Sequence, residues 1–193
     1  MRLSDSDRRE LLKAMYSTER LAHLFECTTY YSAEPSRSFL DAIWKTIETG
    51  IPPQPSAISS LKKYLNSDKV PNEEECTGAD SSGHNFILAL YMILSFFKDK
   101  NLQSLQDIYR EVEGSYINDL AIADLVKGSS NSVTVITEEL SARANAHPIF
   151  TSFLNQLTVD HDKAHSIPLQ QKSIEASKAG SVEDINDRGN IKR

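Results

Sequence analysis

Between Phe86 and Phe97 the chain reads Phe-Ile-Leu-Ala-Leu-Tyr-Met-Ile-Leu-Ser-Phe-Phe, and eleven of those twelve residues are apolar or aromatic. A helix that is apolar on every side must be surrounded by other elements rather than laid on a surface. Twelve residues make a helix of about 18 Å, whereas a membrane span needs roughly 20 residues. The run exceeds the usual strand length and holds Leu, Ala and Met, so a buried strand is the weaker reading. The pattern predicts a central helix enclosed by an all-α bundle.

The segments before it carry the periodicity that such a bundle needs. Ser4 or Ser6 can cap a first helix, with Asp5 and Asp7 near its positive end. Leu11, Met15, Ala22 and Phe25 recur on one side, Leu12, Leu21 and Leu24 widen that stripe, and Pro35 sets the end near Tyr31. Ser36 is the expected cap of a second helix with Phe39, Leu40, Ile43, Trp44 and Ile47 inward. Gly50 stops it, and Ile-Pro-Pro-Gln-Pro makes a stiff connector. A short third helix is expected from Ser56 to Leu65, carrying Ile58, Leu61, Tyr64 and Leu65 inward. From Asn66 to Gly83 the pattern is lost. There Asp68, Glu73, Glu74, Glu75 and Asp80 face only Lys69, and Pro71, Gly78 and Gly83 interrupt. This reads as an acidic loop, longer than compact domains usually carry without a function.

After the central run, Asn101 can cap a long helix bearing Leu102, Leu105, Ile108, Tyr109, Val112, Tyr116, Ile117 and Leu120. Gly114 is where it would bend and Gly128 where it would stop. Val133 to Ile136 is β-branched, yet Glu138, Glu139, Leu140, Ala142 and Ala144 favour a sixth helix within Ser132 to Asn145. Pro148 suits the first turn of a seventh, with Ile149, Phe150, Phe153, Leu154 and Leu157 as its apolar stripe. Beyond Ser166 aromatics vanish and both charge signs mix with Ser, Gln, Gly and Asn. Such a segment buries too little apolar area to offset its ordering entropy. The expected organisation is one domain of about seven helices over residues 1–165, followed by a polar, disordered tail over residues 166–193.

With 39% hydrophobic and 25% charged residues in 193, the domain can build its core without metal or disulfide support. The net charge is -6, and the tail contributes +1, which leaves -7 on residues 1–165. That balance argues against nucleic acid, whose counterions are displaced by Lys and Arg. It is compatible with a basic protein partner, but many ordinary soluble proteins are this acidic, and composition does not choose between the two. Of the two cysteines, Cys27 reads as a buried thiol near Phe25 and Tyr30, and Cys76 lies in the acidic loop. Neither belongs to a CxxC or Cys/His cluster, so no zinc site is expected. The N-terminal residues lack an apolar core of a secretory signal, and a cytoplasmic protein is the default expectation.

Catalytic signatures are sparse. In His161-Asp162-Lys163-Ala164-His165 two histidines at i and i+4 share a helical face and can grip zinc, with Asp162 between them as base. The usual acid there is Glu, and the motif sits at a helix end just before Pro168, so exposed histidines facing the helix dipole are the plainer expectation. There is no phosphate loop, no GxSxG and no Cys–His arrangement. Glu138 and Glu139 are adjacent and so point to different sides of a helix. The candidate contact residues are instead Tyr30 and Tyr31, adjacent so that one should leave the core, and the acids Glu73, Glu74, Glu75 and Asp80.

Three stretches carry a resemblance. Leu21-Ala22-His23-Leu24-Phe25-Glu26-Cys27 leads to Tyr31, Phe39-Leu40-Asp41-Ala42-Ile43-Trp44 precedes a proline-bearing connector, and Asn145-Ala146-His147-Pro148-Ile149-Phe150 opens the last helix. With an acidic loop before the long apolar helix, the layout resembles the YjaG-like family of bacterial all-helical proteins, a domain of unknown function. The resemblance spans roughly residues 9–160 and implies the helical fold, with no activity or cofactor to carry across. Two departures stand out: Thr28-Thr29-Tyr30-Tyr31-Ser32 replaces the family's turn after the first helix, and the acid and glutamine of its last helix are missing near Phe153 and Leu157.

The expectation is therefore a non-enzymatic protein-binding module without a cofactor or metal. The specific form is an immunity-type protein that neutralises a basic bacterial toxin through an acidic, tyrosine-bearing face. The alternatives are a metal-dependent hydrolase using His161 and His165, and a homo-oligomeric structural protein.

Overall fold

Helix follows helix along the chain: α1 (Asp5–Leu24), α2 (Glu34–Thr49), α3 (Pro55–Leu65), α4 (Asp80–Asp99), α5 (Leu102–Asp107), α6 (Glu113–Leu125), α7 (Glu138–Asn145) and α8 (Pro148–Ser166). A π-helical turn, Ile108–Val112, joins α5 to α6 without a break, so these elements make seven rods among the described residues. The structure is a computed structural model that describes residues 2–24, 33–70, 80–126 and 137–169. No strand occurs among them, and the chain is an all-α single domain as its periodicity predicts. Cys27, Cys76, Gly128, Val133 to Ile136 and the tail beyond Leu169 lie outside the described residues.

Local chemistry explains most boundaries. Ser4 and Asp7 cap α1 reciprocally, Asp7 N–H donating to Ser4 Oγ and Ser4 N–H to Asp7 Oδ2, each at 3.1 Å. Asn101 accepts from Gln103 N–H at the start of α5, Thr137 from Leu140 N–H at α7, and His147 Nδ1 from Ile149 N–H before Pro148. Ser36 is a correction: α2 begins ahead of it, with Pro35 in the first turn and Ala33 as an uncapped start. A proline is tolerated there because the first N–H groups of a helix have no internal partner. Ser36 is instead buried inside that turn.

Gly50 closes α2 in the left-handed region at φ 72°, and its N–H donates to Thr46 O at 2.8 Å. Leu3 N–H then donates to Gly50 O at 2.8 Å. Arg8 completes the junction by donating to Ile47 O at 2.7 Å, Glu48 O at 2.6 Å and Leu169 O at 2.8 Å. One α1 side chain thus satisfies the last carbonyls of α2 and holds the chain that leaves α8.

The hub of the bundle is α1 rather than the apolar α4. Every residue from Leu11 to Ala22 is buried, and α1 packs against α2, α4, α5, the π turn and α8. In α4, by contrast, Phe86, Ala89, Leu90, Ile93 and Phe96 face the core while Tyr91 is 39% exposed. Leu88, Met92, Ser95 and Phe97 lie half-buried beside it. Freedom from charge did not make α4 central, because enclosure needs neighbours on all sides and α1 recruits them. The polar residues of α1 survive burial by pairing with one another and with the helices around them.

Candidate functional site

Four polar residues of α1 repeat at helical spacing: Glu10, Lys13, Ser17 and Arg20. They lie on one face, toward the π turn, the start of α6 and the second half of α8. Arg20 donates to Glu113 twice, Nε to Oε1 at 2.6 Å and Nη2 to Oε2 at 2.9 Å. Its Nη1 donates to Asp160 Oδ2, and Nη2 also reaches Ser17 Oγ at 3.2 Å. Gln156, one turn before Asp160, donates to Asp160 Oδ1 at 2.9 Å. Arg20, Glu113 and Asp160 are all buried.

One guanidinium shared by two buried carboxylates is a clasp across three helices. Burial alone pulls the Arg20 guanidinium down, but the charges and hydrogen bonds of Glu113 and then Asp160 outweigh it and hold it firmly protonated. Its donors are committed to these partners, so the clasp fixes geometry and leaves little capacity to bind an added anion. Breaking it from one side strands a buried charge.

Beside the clasp lies a second polar group. Lys13 Nζ donates to Glu10 Oε1 at 2.7 Å, and Tyr109 Oη donates to Glu10 Oε2 at 3.0 Å. The Tyr109 ring meets His161 edge to face, with centroids 5.0 Å apart. Burial pushes the Glu10 carboxyl up, yet Lys13 and Tyr109 prevail and hold it below the ordinary carboxylate range. Burial first, then the charge of Glu10, pushes the Tyr109 hydroxyl far up, so it stays a donor. His161 moves the other way: burial and then Lys13 hold its imidazole below its ordinary value, against the opposing pull of Glu10 and Asp160. Tyr109 belongs to the π turn, a distortion found often at functional positions in helices.

The expected contact residues are only partly within view. Tyr30, Tyr31, Glu73, Glu74 and Glu75 lie outside the described residues. Asp80 is not a loop residue but the first residue of α4. The two histidines expected at an exposed helix end part company: His165 is exposed, while His161 is half-buried with Nε2 enclosed in the seam. Among the described residues no three His, Cys, Asp or Glu side chains gather as a metal site.

The last helix is also differently used from its apolar pattern. Its buried residues are Phe153, Asp160 and Ala164, whereas Leu154 is 48% and Val159 44% exposed. Gln156 and Asp160, one turn apart, are the polar pair that this helix turns inward. Apolar neighbours on both sides mask such a polar position in the sequence pattern. The signal that finds it is polar spacing at i and i+4, Gln156 with Asp160, on a helix that faces the polar row of α1.

Among the described residues, clefts open on the outer surface at two places away from the clasp. One of about 280 Å³ lies at the end of α2, between Lys45, Thr49, Ile51 and Pro53. The other, about 270 Å³, separates α3 from α4 and is lined by Lys62, Asn66, Tyr91, Leu94, Ser95 and Lys98. Tyr91 Oη bridges that gap, 3.1 Å from both Leu65 O and Asn66 Oδ1. No helix among the described residues is long and apolar enough to cross a membrane.

No family model matches the sequence, and no curated protein does. Among solved structures, the chain is similar to the crystal structure of a DUF416 family protein from Shewanella baltica OS155, determined at 1.91 Å resolution. The two are 12% identical over 95% of this chain and 90% of that one, with a TM-score of 0.65. At that identity the likeness shows the fold alone, and the neighbour's family is itself uncharacterised.

Proposed function

We propose that the protein is a non-enzymatic protein-binding module whose partner docks on the outer stripe of α4 together with the acidic residues that precede it. The observation that carries this reading is Tyr91, 39% exposed in the middle of a helix without charge from Phe86 to Phe97, at the wall of the α3–α4 cleft. Exposed tyrosine anchored by its hydroxyl supplies rigid contact area at low entropic cost, the quality that makes it prominent in interfaces. Leu88 and Met92, half-buried, extend the apolar patch along the same helix. The ionisable groups that converge, by contrast, are spent on each other inside the bundle.

The acids Glu73, Glu74, Glu75 and Asp80 stand immediately before that stripe in sequence, and residues 66–83 hold five acids against Lys69 alone. This favours a basic partner, drawn in by charge and then seated on the apolar stripe. A cytoplasmic, immunity-type protein directed at a basic toxin is the specific form proposed, with Tyr30 and Tyr31 as further contacts. Kinship with the YjaG-like family is proposed alongside it, on the three sequence stretches and the shared helical order. The likeness in fold to an uncharacterised bacterial protein supports a bacterial setting.

The test is titration calorimetry with the basic proteins encoded beside this gene. Binding is expected for one of them, weakening with salt, and falling at least about tenfold in Tyr91→Ala and in a Glu73→Gln/Glu74→Gln/Glu75→Gln variant. No binding to any of them, or binding indifferent to both variants, overturns the reading.

A further inference from the structure

Beyond Phe153, the only buried side chains of α8 among the described residues are Asp160 and Ala164. This half of the helix is attached by polar contacts. Asp160 is clasped by Arg20, and Arg9 Nη1 donates to Ala164 O at 2.5 Å and to Ile167 O at 3.4 Å. Arg8 holds Leu169 O beyond the helix. Elements with few buried apolar contacts open at the lowest free energy in a fold.

His161 sits within that attachment, and its Nε2 is enclosed with no hydrogen-bond partner among the described residues. The charged and titratable groups facing it come from every neighbouring element: Glu10 and Lys13 from α1, Tyr109 and Arg110 from the π turn, and Asp160 from α8 itself. Both acids are already engaged, Glu10 by Lys13 and Tyr109, Asp160 by Arg20 and Gln156. Neither acid is hydrogen-bonded to the ring, and an imidazolium there adds a positive charge beside Lys13 and Arg110.

We propose that the second half of α8 is a pH-sensitive latch: protonation of His161 in mildly acidic solution releases residues 154–166 from α1 and the π turn. The direction of its titration agrees. Burial first, then Lys13, holds the imidazole below its ordinary value in the closed state, while an opened helix returns it to water. For a histidine depressed in the closed form, the closing free energy is fully present above the open-state value. It is lost as pH falls from there through the closed-state value. With an ordinary open-state value of 6.5, the closed-to-open ratio can fall by at most about tenfold at pH 5.5.

Hydrogen exchange of the full chain at pH 7.5 and 5.5, corrected for intrinsic rates, tests this. Protection over residues 154–166 is expected to drop by up to about tenfold at pH 5.5. In His161→Phe, which keeps a ring against Tyr109 but takes no proton, the drop should shrink to less than about twofold. His147, 3.3 Å from Asp124, lies at the opposite end of α8. Residues 147–153, outside the proposed latch, serve as an internal control and should lose less protection than residues 154–166. Equal protection at both pH values in the parent, or a loss that persists in His161→Phe, overturns the latch. If that variant does not fold, an NMR titration of the parent decides: a His161 value below 6.5 supports the proposal, and one at or above it rejects it.

Discussion

Arg20 and Glu113 meet fork to fork across 93 positions of sequence, with donor–acceptor distances of 2.6 and 2.9 Å. The parallel pair fixes the rotation of α1 against α6 in a way that apolar packing does not, since a leucine contact tolerates sliding. Asp160 extends the same constraint to α8. Three helices are thereby held in one register by a single guanidinium.

Replacing Arg20 alone should be severe. Arg20→Met leaves two buried carboxylates facing each other without a cation, and breaking a buried pair from one side costs about 3–5 kcal/mol. The companion variant Arg20→Met/Glu113→Leu/Asp160→Leu removes the stranded charges too and should recover most of that loss. Urea unfolding of both measures the difference. A single substitution costing less than about 1 kcal/mol would mean that water reaches the clasp.

Two glycines should respond to alanine with opposite signs. Gly50 has φ 72°, and an added Cβ would stand 3.4 Å from Leu3 O, so Gly50→Ala should destabilise by about 1–2 kcal/mol. Gly114 is helical, and its added Cβ meets the Phe153 ring at 3.7 Å, ordinary contact distance. Gly114→Ala should therefore stabilise by up to about 1 kcal/mol. Thermal melts of the two variants decide it, and destabilisation by both would show that the π turn before Gly114 needs the freedom of glycine.

The rods were legible because each rests on a local signal. Gly50, Asn101 and Pro148 mark ends by backbone chemistry that acts within a turn, and the inner face of α2 repeats without a break from Phe39 to Ile47. The hub was not legible, because burial of Glu19 and Arg20 depends on partners far along the chain. Glu19 is a good instance: it accepts from Trp44 Nε1 at 2.8 Å, a contact that only the packing of α2 on α1 creates. Likewise His161 reads as an exposed residue at a helix end, since the polar row it faces lies on the first helix. Long-range charge pairing leaves no period in sequence.

Glu10 offers the clearest pH-dependent prediction. Burial raises its carboxyl, but the Lys13 ammonium and the Tyr109 hydroxyl favour the charged form more, so its folded value lies below the ordinary 4.5. Between those two values the unfolded chain binds more protons than the folded one, and stability rises with pH there. The contribution is present in full above pH 4.5 and disappears as pH falls through the folded value. Glu10→Gln should thus be less stable than the parent at pH 7, with the gap closing toward pH 3. Tyr109→Phe removes one of the two supports and should narrow the gap without abolishing it. Denaturant titrations at pH 7, 5 and 3 check this, and a gap of constant size across them would show that Glu10 is held by shape rather than by charge.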